Sequence, residues 1–505
     1  MLARILGLPL FVILMGIGSV AMFLPALHAG ATRDFQTARV FFYGGLLFLI
    51  FTLIIALATA NYKPRNETGS HLLSLFVCFV LLPMMLAVPF HQTVTTSTFG
   101  EAYFEMVSSI TTTGATQYAD PAQLPRSVHL WRALVAWLGG FFVWVSAVAI
   151  LAPLNLGGFE VLAEGRHGTG SSLSQISRVA GGSVRLQRAA LRLLPIYSGL
   201  TAVFWVFLII AGDRPFGALI HSMSTFATSG ISATGGMQNN SSAGFGEFVV
   251  LIGMCFALSR LTFSSDMKAR SINVLKTDPE IRIATFLIMA VPSLIFMRHW
   301  FGALEEQSVE DARQALSALW GSIFTTVSFL STTGFESASW TQASRWSGLA
   351  TPGLIPLGLA MVGGGVATTA GGVKLLRIYA LYKNGQREIE RIIHPTSVAG
   401  SGPAVRHLRR RGAYVAWIFF MLFALSVSFV MLLLAYNGVG FDNALILTIA
   451  ALTTTGPLAN VVTETPISYA TLSPTVKLVL GAAMVVGRLE TLAVIALLNP
   501  DTWRR

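Results

Sequence analysis

Charge is what this sequence has least of. Of 505 residues only 11% are charged, against 53% hydrophobic, whereas soluble domains carry about a quarter charged residues. That deficit excludes a water-soluble globular chain. Cysteine is nearly missing too: Cys78 and Cys255 both fall within apolar runs, so no disulfide framework is encoded. No His-Glu-x-x-His, Walker A or Gly-x-Gly-x-x-Gly sequence occurs, and the nine histidines are scattered. With no carboxylate pair placed for acid–base work, an intramembrane enzyme is disfavoured, and any nucleotide dependence must reside in another protein.

What is abundant is uninterrupted apolar sequence. Runs such as Leu72–Phe90 and Ala133–Leu151 are long enough to cross a hydrocarbon core of ~30 Å. Ile5–Leu27, despite the preceding Arg4 and the following Ala29-Gly30-Ala31, exceeds a signal-peptide core of roughly 7–15 residues and reads as a spanning helix. The net charge of +11 sits between apolar runs. This points to orientation signals and anionic lipid headgroups, not to nucleic acid.

One short phrase recurs four times: Thr111-Thr112-Thr113-Gly114, Ala227-Thr228-Ser229-Gly230, Ser331-Thr332-Thr333-Gly334 and Thr453-Thr454-Thr455-Gly456. The glycines stand 116, 104 and 122 residues apart, each closing a short amphipathic run between long apolar runs. Small residues recur twelve positions before them (Ala102, Ala218, Ser322, Ala444) and six before them (Ser108, Ser224, Ser328, Ala450), as close helix packing in a membrane requires. This is an internal repeat, and it predicts four loops meeting around one axis.

The expected fold is an all-α polytopic membrane protein. It has four pseudo-symmetric helix–pore-loop–helix repeats around a central pore, plus two N-terminal transmembrane helices at about 5–27 and 40–60. The repeats place helices at about 71–90, 99–111 and 129–152; 191–211, 215–227 and 246–264; 283–301, 315–331 and 351–381; and 413–436, 442–453 and 474–498. The corresponding domains are 1–66, 67–160, 161–268, 269–395 and 396–505, with ten spanning helices in all.

With the N-terminus inside, the inner segments collect Arg4, Lys63, Arg65, Arg166, Arg178, Arg185, Arg188, Arg192, Lys268, Arg270, Lys276, Arg282, a group from Lys374 to Arg411, and Arg504 and Arg505. This positive-inside bias sets both termini in the cytoplasm and every Thr/Ser-Gly loop toward the outer face. The basic segments Asn155–Gln187 and Lys383–Arg411 read either as orientation punctuation or as a docking surface for a cytoplasmic subunit.

Non-helical backbone at membrane depth is tolerated only where it is buried in protein or lines a watery cavity. A dehydrating cation needs oxygen ligands, and rings of backbone carbonyls supply them. Glycine permits the required backbone conformation, Thr and Ser add hydroxyls or bind the loop locally, and the short helices aim their negative ends at the ion. The alternative, a simple C-terminal cap, explains one copy better than four. No carboxylate recurs in the four loops, which argues against a calcium-type ring.

These repeats, the run Gly363-Gly364-Gly365-Val366-Ala367-Thr368-Thr369-Ala370-Gly371-Gly372 and the closing Gly487-Arg488-Leu489-Glu490 resemble the Trk/Ktr/HKT superfamily of potassium transporters. The two extra N-terminal helices are similar to its bacterial TrkH branch. The resemblance covers essentially the whole chain. It implies a selectivity filter for K+ formed by Thr111, Thr112, Thr113, Gly114, Thr228, Ser229, Gly230, Thr332, Thr333, Gly334, Thr454, Thr455 and Gly456. It implies a gate formed by Gly363, Gly364, Gly365, Ala367, Thr368, Thr369, Gly371, Gly372 and Arg488, with Ala367 and Thr368 where the family usually has glycine and serine. Glycine at 114, where sodium-preferring relatives carry serine, implies potassium preference. The resemblance further implies a homodimer in the bacterial inner membrane, working with a cytoplasmic nucleotide-binding subunit of TrkA type and no covalent cofactor.

Read from the residues alone, so many glycines in an apolar run cannot sustain a regular helix cheaply, at up to ~1 kcal/mol each relative to alanine; close helix packing is the other reading. Arg488 is expected to face a cavity, since Glu490, two residues on, does not share its helix face. Glu105 and His221, each nine residues before its glycine, are expected to brace the short helices. A proton- or sodium-coupled carrier remains the rival, although such carriers usually have two repeats and ionisable residues at the binding site.

Overall fold

The computed structural model describes residues 8–60, 67–153, 158–159, 182–260, 278–302, 312–394, 410–463 and 465–490. Among them every regular element is helical. Arg4, Lys63, Arg65, Arg166, Arg178, Lys268, Arg270, Lys276, Arg504 and Arg505 lie outside the described residues, as do most of both basic segments.

The N-terminal pair comprises one span broken at Met22 into α1 (Leu10–Ala21) and α2 (Phe23–Ala31), followed by α3 (Phe35–Thr59). Asp34 caps α3 by accepting from the Thr37 amide at 3.2 Å. Its apolar residues point outward on several sides, Leu47, Leu53 and Leu57 among them. A helix apolar all round in a chain of this composition faces lipid.

Four repeats follow. The first is α4 (Glu67–Thr93), α5 (Phe99–Ile110) and α6 (Arg126–Ser146, extended by a π-helical turn to Leu151). The second is α7 (Gly182–Ile210), α8 (Pro215–Ala227) and α9 (Ala243–Cys255). The third is α10 (Pro279–Gly302), α11 (Ala312–Leu330), an added outer helix α12 (Trp340–Ser347), then α13 (Leu354–Val362) and α14 (Leu375–Ile393). The fourth is α15 (Arg410–Tyr436), α16 (Phe441–Leu452), a single turn α17 (Leu458–Val461) and α18 (Pro474–Leu489).

The short helices start where their sequences say they should. Thr98 and Glu101 form a reciprocal capping box on α5, with bonds of 2.9 and 3.3 Å, and Pro215 opens α8, a position where its missing N–H costs nothing. All eight small residues of the two repeated registers are buried. Glycines of the closing helices let these elements come together. A Cβ on Gly139 would lie 3.0 Å from the Ile110 Cα, and one on Gly487 would lie 2.9 Å from the Leu452 Cα. The ends of α5 and α16 thus rest directly on the backbones of α6 and α18.

Among the described residues seven helices are long and apolar enough to span. The closing helices of repeats two, three and four fall short for local reasons. After α9 the chain passes through one 3-10 turn and extends at Ser259. The run expected at 351–381 breaks into α13 and α14 because Gly363 takes φ +73°. α18 stops as Glu490 adopts φ +63°, and the remainder to 498 lies outside the described residues. The three breaks belong to helices packed about the central loops.

Candidate functional site: a ring of four loops and the glycine-rich loop against it

The four short helices end in loops of one construction. The amides of Thr113, Ser229, Thr333 and Thr455 donate to the carbonyls of Ser108, Ser224, Ser328 and Ala450, at 2.8, 3.0, 2.9 and 2.8 Å. Between them Thr112, Thr228, Thr332 and Thr454 adopt φ of +55, +51, +56 and +54°. This is a Schellman-type cap with threonine where glycine is usual. Capping and ring formation therefore coexist. The capping residue, however, is the middle one of each motif, two places before the glycine, and sequence pattern gave no sign of that conformation.

The glycines have a different reason to be glycine. A Cβ on Gly114 would collide with the carbonyl of Ser229 in the second loop, and one on Gly230 with the carbonyl of Thr333 in the third. One on Gly334 would sit 2.9 Å from Pro457 in the fourth, and one on Gly456 2.5 Å from the Ala115 Cα in the first. The contacts run one to two, two to three, three to four and four to one. The Gly456 amide closes the circle on the Thr113 carbonyl at 2.7 Å. Gly114, Gly230 and Gly334 also take φ of +72, +64 and +84°. Gly456 is not among the positive-φ glycines, so in the fourth loop the need is close approach alone.

The hydroxyls are used within the loops. Thr111 meets Thr113, and Ser331 meets Thr333, both at 2.8 Å; Thr453 meets Thr455 at 3.2 Å. Ala227 cannot do the same, and Ser229 turns to Ser224 at 3.0 Å instead. Gly140 of α6 packs closely here: a Cβ on it would lie 3.0 Å from the Ala227 Cα.

Each of the first three loops has a buried brace behind it. Glu105 accepts from Thr116 Oγ1 at 3.0 Å and the Gln117 amide at 2.8 Å, and pairs with Arg132 at 3.0 Å. His221 meets Ser232 at 2.8 Å and Asn240 at 2.9 Å. The third loop is braced by Glu247 of α9, which accepts from Trp320 Nε1, Ser337 Oγ and the Ala338 amide at 2.7, 2.8 and 2.7 Å. Sequence reasoning missed Glu247 because it lies in another repeat, at no fixed offset from a glycine.

Directly against the ring lies the loop from Gly363 to Lys374. Thr369 Oγ1 donates to the Phe226 carbonyl at 3.0 Å, and the Gly371 amide donates to Thr332 Oγ1 at 2.7 Å. A Cβ on Gly371 would lie 2.6 Å from Thr454 Oγ1. Arg488 donates to the Thr369 carbonyl at 2.7 Å and also meets Thr112 Oγ1. The loop and its arginine therefore touch all four ring segments. Lower down, Gly365 bonds Ala257 O at 3.0 Å, Val366 bonds Glu280 Oε1 at 2.8 Å, and Thr368 Oγ1 bonds Gly365 O at 2.7 Å. Leu375 returns to Gly364 O at 3.0 Å.

Two cations were read from sequence as part of the inner-face basic group, and the structure corrects both placements. Lys374 is buried with φ +84° and its ammonium meets the Ala370 carbonyl. Arg377 is fully buried, pairs with Glu490 at 2.6 Å and stacks on Phe419 at 3.7 Å. Their position immediately after Gly371-Gly372, and not in a polar loop, was the available signal. Glu490 is thus paired with Arg377, while Arg488 lies under the ring.

Comparison with known proteins agrees with this architecture. Residues 39–501 match the TrkH family, described as a cation transport protein. The chain is 29% identical to the Trk system potassium uptake protein TrkH of Salmonella typhimurium, over 100% of this chain and 99% of that protein. It is 30% identical to the TrkH protein of Escherichia coli K12, over 90% and 91%. The crystal structure of the potassium transporter TrkH from Vibrio parahaemolyticus superposes with a TM-score of 0.81 at 25% identity, covering all of both chains. The chain belongs to the TrkH family of membrane cation transport proteins, a family of transporters and not of enzymes.

Proposed function

We propose that this chain takes up potassium across the bacterial inner membrane through a channel-like pore, with both termini in the cytoplasm. The ring of Gly114, Gly230, Gly334 and Gly456, with the carbonyls flanking them, is the selectivity filter for K+. The loop Gly363–Gly372 with Arg488 is the gate. The observation that carries the reading is the cyclic order of the ring, each glycine facing the next loop round. Four equivalent helix ends brought to one axis present their partial negative charge to a cation there, and carbonyl rings are how dehydrated potassium is held.

The potassium substrate is supported by the relatives, which are Trk system potassium uptake proteins, and the five-part division at 66, 160, 268 and 395 by the repeat plan. α14, which runs inward from the gate as an amphipathic helix, supports regulation by a separate cytoplasmic nucleotide-binding subunit of TrkA type. A homodimer completes the proposal. Reconstituted vesicles loaded with potassium and offered external rubidium test it. Uptake driven by an imposed voltage and indifferent to a proton or sodium gradient is expected. Uptake that requires either gradient would replace the pore with a coupled carrier.

A further inference from the structure

Two residues past the filter glycines stand Thr116, Ser232, Glu336 and Leu458. In the first two loops this residue is a structural hydroxyl, bonded to Glu105 or His221 at the position nine before the glycine. In the third loop position nine before is Thr325, whose buried hydroxyl has no hydrogen-bond partner among the described residues. The brace is supplied from outside by Glu247, which takes Ser337. Glu336 is thereby released from bracing. Its neighbours both turn into the protein: the Phe335 ring lies edge-on to His221 at 5.7 Å, and Ser337 faces Glu247. The carboxylate turns the other way, partly exposed, and accepts from the exposed Gln238 at 3.2 Å. Gln238 belongs to the outer segment that follows the second filter loop.

The charged and titratable groups behind these elements are spoken for. His221 is held by Ser232 and Asn240, Asp213 by Asn240 and the Ser242 amide, and Glu247 by its three donors. A carboxylate thus stands at the outer rim, two residues from a filter glycine. It is bridged between two repeats and has no ion-pair partner among the described residues.

We propose that Glu336, oriented by Gln238, is an outer collecting site for monovalent cations, raising occupancy of the filter when external potassium is scarce. This rests on the pore reading given above. The ring itself carries no side-chain charge, so its carbonyls discriminate without attracting from a distance. A fixed carboxylate at the mouth raises the local cation concentration, and acidic side chains serve this purpose in cation channels generally.

Rubidium uptake by vesicles containing the full chain, over a range of external concentrations, tests the proposal. In Glu336→Gln the half-saturating concentration rises about tenfold, the low end of electrostatic focusing effects, while the maximal rate is kept. Glu336→Asp stays near wild type. An unchanged half-saturating concentration in Glu336→Gln, at equal protein per vesicle, overturns the collecting site. If wild type itself shows saturable uptake and Gly114→Ser alters its selectivity, that failure belongs to the collecting site alone. If wild type shows no voltage-driven uptake, the pore reading fails and the collecting site with it.

Discussion

Arg488 lies between Thr369 and Thr112, with Nη1 2.7 Å from the Thr369 carbonyl and the other terminal nitrogen on the Thr112 hydroxyl. One guanidinium thereby ties the glycine-rich loop to the first ring segment. On the proposed pore reading, a buried positive charge there would oppose a cation, and its two hydrogen bonds would hold the gate loop in place. Arg488→Ala removes both effects. Flux is expected to rise, measured as rubidium uptake per molecule in vesicles. A fall in flux at normal expression would assign Arg488 a purely structural role.

The ring predicts its own weak point. At Gly114 the φ of +72° and the contact with Ser229, whose carbonyl carbon would lie 3.0 Å from any Cβ, act together. Gly114→Ser must push the second-loop carbonyl aside, and a misplaced ligand relaxes discrimination between ions of different size. Sodium is expected to compete better against rubidium uptake in this variant than in wild type. Equal competition in the two proteins would count against the filter assignment.

Much of this was legible in the chain. Four glycines at near-equal spacing with small residues at two shared registers specify four equivalent helix ends, because those residue types serve geometry that recurs. The break at Gly363 was legible too, since a glycine-rich apolar run is poor helix. What could not be read was anything made between repeats. Glu247 braces a loop some ninety positions away, Arg377 pairs with Glu490 of another repeat, and Lys374 looks like a headgroup lysine until its burial is known. The left-handed threonines were also hidden, because threonine carries no preference for that conformation.

Ala367 supplies a prediction with a defined sign. It holds φ +55° in the glycine-rich loop, a conformation that costs an L-residue about 1–2 kcal/mol and glycine almost nothing. With the loop as the proposed gate and this its closed form, Ala367→Gly removes that strain and should lower basal flux by roughly fivefold or more for 1 kcal/mol. Deleting Ala367–Ala370 acts oppositely. It removes Thr369 and its bonds to Phe226 and Arg488, and the protein should leak. Basal rubidium flux in the two variants, compared with wild type, reads both signs. Tight closure in the deletion variant would sink the gate.

The Glu105–Arg132 pair behind the first loop is buried on both sides, with Nε and Oε2 3.0 Å apart. Breaking such a pair from one side leaves a buried charge and costs about 3–5 kcal/mol. Glu105→Ala also releases Thr116 and the Gln117 amide. The first loop should then lose its register, with a lower melting temperature in detergent and weaker ion discrimination. Replacing Arg132 by Met in the same molecule removes the stranded charge but not the released loop. The double variant should therefore recover melting temperature without recovering discrimination. Recovery of both would mean that the charge pair, and not the carboxylate's grip on the loop, sets the ring geometry.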